Sequence, residues 1–270
     1  MNHLQALQQA FDPSEGRALY RWVMEECFGL TLAQILMGKD TDLSEDEQQR
    51  LKNIVARLLT GEPVQYVVGH TTFCEHTFHV APGVLIPRPE TEQLVRLILQ
   101  RHSAPLRLLD IGTGSGCIAI SLALAGHHVS AFDVSPEALA VARKNAETLG
   151  ANINFQLVDI LHPTVHWKGN IIVSNPPYIC HREASEMEAH VLNHEPHLAL
   201  FVPDDDPLLF YRAITLYALQ ALTPGGMLYF ECNRAYVDDV CHLMHTHGFQ
   251  QVESIVDDFG NPRFAVGSLP

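Results

Sequence analysis

The stretch from Leu106 to Gly126 constrains what this 270-residue chain can fold into more than any other. Leu106-Arg107-Leu108-Leu109-Asp110-Ile111 reads as a short strand, Gly112-Thr113-Gly114-Ser115-Gly116 as a tight loop, and Cys117 to Ala125 as a helix that Gly126 ends. A strand running through glycines into a helix is the opening of a crossover unit, which requires a parallel sheet covered by helices. Glycines in such a loop let a ligand touch backbone, and free N–H groups at the helix start favour electron-rich groups. Cys117 stands where the dinucleotide fingerprint G-x-G-x-x-G needs its third glycine, so the loop does not call for a pyrophosphate.

Acidic residues close the next two strand-like segments. Asp133 follows His128-Val129-Ser130-Ala131-Phe132, 21 residues after Gly112, where a carboxylate can accept hydrogen bonds from both hydroxyls of a ribose. Asp159 follows Asn154 to Val158, placed to bond an adenine amino group with Ile160 against the ring. Either acid alone reads equally well as a helix cap or a solvated turn residue. Together, at successive strand ends, they point to a nucleoside.

Asn175-Pro176-Pro177-Tyr178 ends the apolar run Ile171-Ile172-Val173. Proline has no N–H and fixes its own φ, so the double proline stops a buried strand abruptly. An asparagine there offers a side-chain carbonyl beside the Pro176 backbone carbonyl, and two acceptors can converge on one planar NH2 group with Tyr178 stacked on its face. That arrangement suits methylation of an amide or amino nitrogen whose lone pair is conjugated. The plainer alternative is a buried strand that ends in a rigid turn.

In this order the motifs resemble the class I S-adenosyl-L-methionine-dependent methyltransferases, and within them the protein-(glutamine N5) methyltransferases that modify peptide-chain release factors in translation termination. The resemblance spans roughly residues 14–267. It extends to Gly61-Glu62-Pro63-Val64-Gln65-Tyr66, to Leu85-Ile86-Pro87-Arg88-Pro89-Glu90-Thr91-Glu92 and to Glu195-Pro196-His197-Leu198-Ala199-Leu200. It implies that Asp110, Gly112, Thr113, Gly114, Ser115, Gly116, Asp133, Asp159, Ile160 and Asn175 bind the cofactor. It likewise implies that Asn175, Pro176 and Tyr178 are catalytic, and that Pro177 and Arg88 join them in holding a Gly-Gly-Gln glutamine. Two segments depart from the family pattern, Asp204-Asp205-Asp206-Pro207 in place of a glycine-containing turn and Glu231-Cys232-Asn233-Arg234 in place of Glu-x-Gly. Both put loop geometry near the site in question.

Composition separates the rival functions. With 17 Lys and Arg against 31 Asp and Glu, a formal charge of −14, broad binding to a phosphate backbone by counterion release is disfavoured. Up to Glu90 the chain holds seven basic and twelve acidic residues, so its N-terminal part is no basic clamp either. Adenine-N6 methylation of a flipped nucleic-acid base would use the same pocket but has no basic segment to support it. Methylation of a ribosomal-protein glutamine is the nearer rival. A non-enzymatic adaptor would be expected to lack a catalytic residue, and none is missing.

Six cysteines, Cys27, Cys74, Cys117, Cys180, Cys232 and Cys241, form no C-x-x-C pair and read as reduced thiols of a cytoplasmic protein. The stretch Met1 to Ala10 has neither a cationic start nor a long apolar core, so no leader is read there. Pro196 interrupts His190, His194 and His197, and His242, His245 and His247 could share part of one helix face yet lack the carboxylate or cysteine company that would define a site, so no metal site is expected.

The pattern predicts three parts. Residues 1–72 form a small helical bundle: Asp12-Pro13-Ser14-Glu15 starts one helix, Ser44-Glu45-Asp46-Glu47 is a capping box, and Leu51, Ile54, Val55, Leu58 and Leu59 make one apolar stripe. Without reactive groups of its own, the bundle is expected to recognise the protein substrate. Residues 73–89 read as a linking β-hairpin around Pro82-Gly83, and residues 90–270 as an α/β doubly wound, Rossmann-like sheet ending in an antiparallel hairpin. A monomer without membrane or direct nucleic-acid contact is expected.

Overall fold

The computed structural model describes residues 3–270; Met1 and Asn2, the start of the stretch read as carrying no leader, lie outside the described residues. The chain divides into two compact units, Met1–His70 with Glu188–His194, and Thr71–Met187 with Glu195–Pro270.

Five helices account for most of the smaller unit: α1 (His3–Ala10), α2 (Pro13–Phe28), α3 (Leu32–Leu36), α4 (Glu45–Leu59) and α5 (Val64–Val68). Asp12 accepts the Ser14 N–H ahead of α2, Pro13 occupies the first helical position where its missing N–H costs nothing, and Gly29 ends the helix at φ 67°. Before α4, the Ser44 hydroxyl accepts from the Glu47 N–H while the Glu47 carboxylate accepts from the Ser44 N–H. The apolar faces close on Leu7, Tyr20, Val23, Met24, Leu51, Ile54, Val55 and Leu58.

The hairpin of β1 (His70–Phe73) and β2 (His76–His79) turns at Cys74 and Glu75, both at positive φ (46° and 64°). Pro82-Gly83 does make a turn, closed by the Val84 N–H on the Ala81 carbonyl (3.2 Å), but the hairpin expected around it lies earlier in the chain. Residues 80–88 run without regular structure, because Pro82, Pro87 and Pro89 remove the donors a second ladder would need. Next come α6 (Pro89–Arg101), β3 (Arg107–Ile111), α7 (Cys117–Leu124), β4 (His128–Asp133), α8 (Pro136–Leu149), β5 (Ile153–Leu157) and β6 (Gly169–Ser174). A short parallel pair, β7 (Ile179–Cys180) and β8 (Phe201–Val202), brackets α9 (Ala189–His194) and α10 (His197–Leu200). The chain closes with α11 (Leu209–Ala221), β9 (Leu222–Glu231), α12 (Val237–Thr246), β10 (Gln250–Val256) and β11 (Pro262–Ser268).

Seven strands form one sheet in the order β10-β11-β9-β6-β3-β4-β5. The five on the β5 side are mutually parallel, and β11 runs antiparallel between β9 and β10. Alternate residues feed two cores. Leu109, Ile172, Leu228 and Phe230 pack with α11 and α12, whereas Leu108, Ile171, Val173 and Tyr229 pack with α6 and α7. Each such fully buried side chain contributes about 1.5–3 kcal/mol, so the three-layer core holds the sheet far more firmly than any single ion pair. Strand order reverses between β3 and β6, and the crevice at their carboxyl ends is where ligands of open parallel sheets sit. No helix among the described residues is long and apolar enough to cross a membrane.

Candidate active site

A cavity of about 370 Å³ opens at that reversal point. Strand ends supply its floor: Ile111 and Gly112 after β3, Asp133 and Val134 after β4, Val158 to Leu161 after β5, and Ser174 to Pro177 after β6. The irregular segment Gly83 to Leu85, and Pro196 with Leu198 and Ala199 at the start of α10, add further walls together with Phe210 and Ile214 of α11. The lining is mainly apolar with a few convergent polar groups, the usual character of a small-molecule site.

Within the glycine loop the residues divide by task. Gly112 and Gly114 line the cavity and take φ of 75° and 54°, where an L side chain would be strained. Asp110, Thr113 and Ser115 are buried and are not part of the lining. Asp110 Oδ2 accepts from the Thr113 hydroxyl (2.7 Å) and the Ala119 N–H (3.2 Å), so this carboxyl shapes the loop from beneath. Burial pushes its pKa up to about 7. Gly116 faces the helices; a Cβ there would come within 3.1 Å of Ala142 Cβ and 3.0 Å of Ile120 Cδ1. These four expected contacts thus support the loop instead of lining the cavity.

Asp133 is held open-handed. Its Oδ2 accepts from the Gly114 N–H (2.8 Å) and its Oδ1 from the Ser135 N–H (2.9 Å), which leaves further lone-pair capacity on both oxygens. Burial raises its pKa, opposed by those N–H groups. Asp159 is exposed and caps its own turn through the Leu161 N–H (2.9 Å), with Ile160 buried beside it. Both line the cavity.

At the end of β6 the Ser174 hydroxyl donates to the Ile111 carbonyl (2.6 Å) and pins β6 to β3. Asn175 Nδ2 donates to Thr91 Oγ1 (3.2 Å), and the Thr91 hydroxyl donates to Glu231 Oε2 (2.7 Å). Tyr178 keeps its ring half-buried outside the lining, with its hydroxyl 3.4 Å from Glu231 Oε1. Glu231 is buried at the end of β9, and desolvation pushes its pKa up to about 7 despite the Thr91 bond and Arg263. Neither Thr91 nor Glu231 was singled out in the sequence as a site residue. Glu231 lies 140 residues from Thr91, and only the sheet order brings β9 beside β6.

Arg88, expected to help hold the substrate, has a partner within the protein. It pairs with Glu195 at 2.5 Å, and Glu195 also accepts the Ile86 N–H (3.1 Å). A guanidinium spent on a fully buried carboxylate binds the two wall segments to each other; it does not line the cavity. The two atypical segments prove structurally self-sufficient. Asn233 needs no positive φ, and its side chain ties the Tyr178 carbonyl (3.3 Å). Asp204 accepts from the Arg182 N–H (2.9 Å), and Asp206 pairs with Arg212.

The donor set suits a nucleoside bearing an amino-acid end: glycine backbone, a carboxylate with spare acceptor capacity, and apolar walls at Ile111, Val158 and Ile160. Among the described residues no group of three or more His, Cys, Asp or Glu gathers to hold a metal ion.

Comparison with known proteins covers most of the chain. Residues 4–69 match the family model "PrmC N-terminal domain", and residues 77–199 match "Methyltransferase small domain". The release factor glutamine methyltransferase of Bacteroides thetaiotaomicron is 48% identical over 96% of this chain and 95% of its own length. That of Flavobacterium psychrophilum is 40% identical over 96% and 94%. Among solved structures, ribosomal protein L11 methylase from Lactobacillus delbrueckii subsp. bulgaricus superposes with a TM-score of 0.50 at 22% identity, covering 70% of this chain and 82% of that one. The 16S rRNA N2 G1207 methyltransferase of T. thermophilus, in complex with AdoMet and guanosine, gives 0.55 at 18% identity over 74% and 50%. These two likenesses establish the methyltransferase fold.

Proposed function

The chain belongs to the release factor glutamine methyltransferases, and from that premise we propose that it transfers the methyl group of S-adenosyl-L-methionine to the side-chain N5 of the glutamine in a Gly-Gly-Gln motif of peptide-chain release factors. One observation carries the reading: Asn175 ties its NH2 to Thr91, which leaves Oδ1 as an acceptor on a residue that lines the cavity beside Pro176.

The residues present fit the cofactor. Gly112 and Gly114, bare of side chains, would let its amino-acid end approach the loop backbone, Asp133 would accept from the ribose hydroxyls, and Asp159 with Ile160 would hold the adenine. When bound, the cofactor supplies a sulfonium-activated methyl group. Asn175 Oδ1 and the Pro176 carbonyl accept the two hydrogens of the glutamine amide, draw electron density onto nitrogen and fix its line of attack. Pro177 keeps the strand end rigid, and the Tyr178 ring packs on the amide plane with its hydroxyl held by Glu231. Rate then comes from positioning and from acceptors aligned before the reaction. No general base is required before transfer, because the methylated nitrogen becomes acidic and releases its proton to water. Arg88 acts on the substrate groove indirectly, by fixing the 83–88 segment against Glu195. The helical unit, whose buried side chains among the described residues are apolar apart from Tyr20 and Tyr66, recognises the body of the release factor.

A release factor, a ribosomal protein and duplex DNA offered in parallel with methyl-labelled cofactor decide the reading by mass spectrometry. The release factor alone should gain one methyl group, on its Gly-Gly-Gln glutamine. Label on the ribosomal protein or on adenine instead would overturn the assignment.

A further inference from the structure

An asparagine amide is useful as an acceptor only if its oxygen faces the substrate, yet its two ends are nearly the same size and shape. Something must choose between them. At Asn175 the choice follows from counting protons. Thr91 has one hydroxyl hydrogen, and at 2.7 Å from Glu231 Oε2 that hydrogen goes to the carboxylate, which when ionised has none to give. The Thr91 oxygen is then left with lone pairs only. With Glu231 ionised, the Asn175 terminus 3.2 Å away is the donor, Nδ2, because Oδ1 placed there would set lone pair against lone pair; a protonated Glu231 would donate to Thr91 and release that constraint. Oδ1 is the other end by elimination, and no protein group among the described residues bonds it. Glu231 is itself held by the end of β9, with Tyr178 Oη on its second oxygen at 3.4 Å. Thr91 lies in the first turn of α6, 84 residues from Asn175, so one helix start and two strand ends meet in this chain of bonds.

We propose that Thr91 and Glu231 are positioning residues that fix the Asn175 amide with its oxygen toward the cavity, so that the site accepts an NH2 group and rejects a carboxylate. The consequence is chemical discrimination between glutamine and glutamate. A glutamine NH2 meets a fixed acceptor, whereas a glutamate carboxylate meets the same lone pairs with no proton to share. Were the amide free to turn, Nδ2 would greet the carboxylate and the distinction would fade. This rests on the reading of Asn175 given above.

The test uses the full-length chain, single-turnover methylation of a release factor and cofactor titration. Thr91→Val keeps the side-chain shape but removes both the donor and the acceptor. It should lower the methylation rate on the order of 10- to 100-fold, the scale of a misaligned reacting group, with cofactor affinity within about threefold of wild type. Thr91→Ser, which restores the hydroxyl, should recover the rate to within about threefold. Because Thr91 acts through Asn175, adding Thr91→Val to Asn175→Ala should cost less than about threefold more. A wild-type rate in Thr91→Val while Asn175→Ala is impaired would overturn the positioning role and leave the site reading intact. Loss of cofactor affinity in step with rate, no rescue by serine, or an undiminished cost in the Asn175→Ala background would each make Thr91 merely structural and overturn the proposal. An unimpaired Asn175→Ala would remove the site reading and the positioning role together.

Discussion

The two units of this molecule treat polar side chains in opposite ways. Among the described residues of the helical unit the buried side chains are Leu, Ile, Val, Met and two tyrosines, Tyr20 and Tyr66, with no buried carboxylate, amide, Ser or Thr. The sheet unit buries Thr91, Asp110, Thr113, Ser115, Asn145, Ser174, Glu195 and Glu231, among others. A buried polar group costs free energy unless it is bonded, so a fold retains a cluster of them where they hold something in place. Here most of them stand behind the cavity: Asp110 under the glycine loop, Ser174 between β3 and β6, Glu195 between the wall segments, Thr91 and Glu231 behind Asn175. Asn145 likewise ties the Ser115 carbonyl (2.9 Å) to the loop after β2 through His79. One unit is stabilised by apolar packing, and the other spends part of its stability on geometry.

That contrast can be broken by substitution, and the largest effect is expected at Asn175. Asn175→Ala should reduce turnover on the order of 100- to 1000-fold, the scale for loss of one preorganised polar contact to the reacting group. Cofactor affinity should stay within a few-fold, since the lost contact is to the amide. Unchanged single-turnover rates would remove Asn175 from the chemistry. Next comes Leu58, 1% exposed in the helical core. Leu58→Ala should destabilise that unit by about 2–5 kcal/mol through a cavity and leave cofactor affinity alone. Calorimetric unfolding beside cofactor titration checks this, and an affinity that drops with stability would erase the distinction between the units. Asp133→Ala has the smallest expected effect, weakening cofactor binding by about 1.5–3 kcal/mol, the range for hydrogen bonds to a charged group. Equal affinity in both proteins would take Asp133 out of the site.

How much could be read from the sequence follows the same division. Periodicity and caps carried most of the helical unit, since Leu51, Ile54, Val55 and Leu58 face one core and Ser44 and Glu47 close one capping box, but Leu59, read into the same stripe, is exposed and Glu188–His194 joins the unit from far along the chain. In the sheet unit, local signals located β3, its glycine loop and α7, the proline stop after β6, and the final hairpin of β10 and β11. Local signals also misplaced the earlier hairpin. The alternation of Val80, Val84 and Ile86 resembles a strand, but prolines 82, 87 and 89 deprive it of a ladder, so Pro82-Gly83 makes a turn without a hairpin and the hairpin itself turns at Cys74-Glu75. For Arg88 the resemblance implies a part in holding the substrate, whereas its ion-pair partner, Glu195, is 107 residues away and out of reach of local patterns. Thr91 and Glu231 were invisible for the same reason. Their meaning lies in which strands are neighbours, and single-sequence patterns do not encode strand order.

The central claim is that methyl transfer belongs wholly to the sheet unit and substrate recognition to the helical one. Removing residues 1–70 and comparing rates on an intact release factor and on a short Gly-Gly-Gln peptide tests it most directly, with cofactor titration as the check on folding. Remote contacts that orient a substrate are lost from kcat/KM when their surface is lost. The shortened protein should therefore bind the cofactor normally, methylate the intact factor far more slowly, and methylate the peptide at the full-length chain's already low rate. Equal losses on factor and peptide with cofactor affinity intact would contradict the claim and give the helical unit a share in the chemistry.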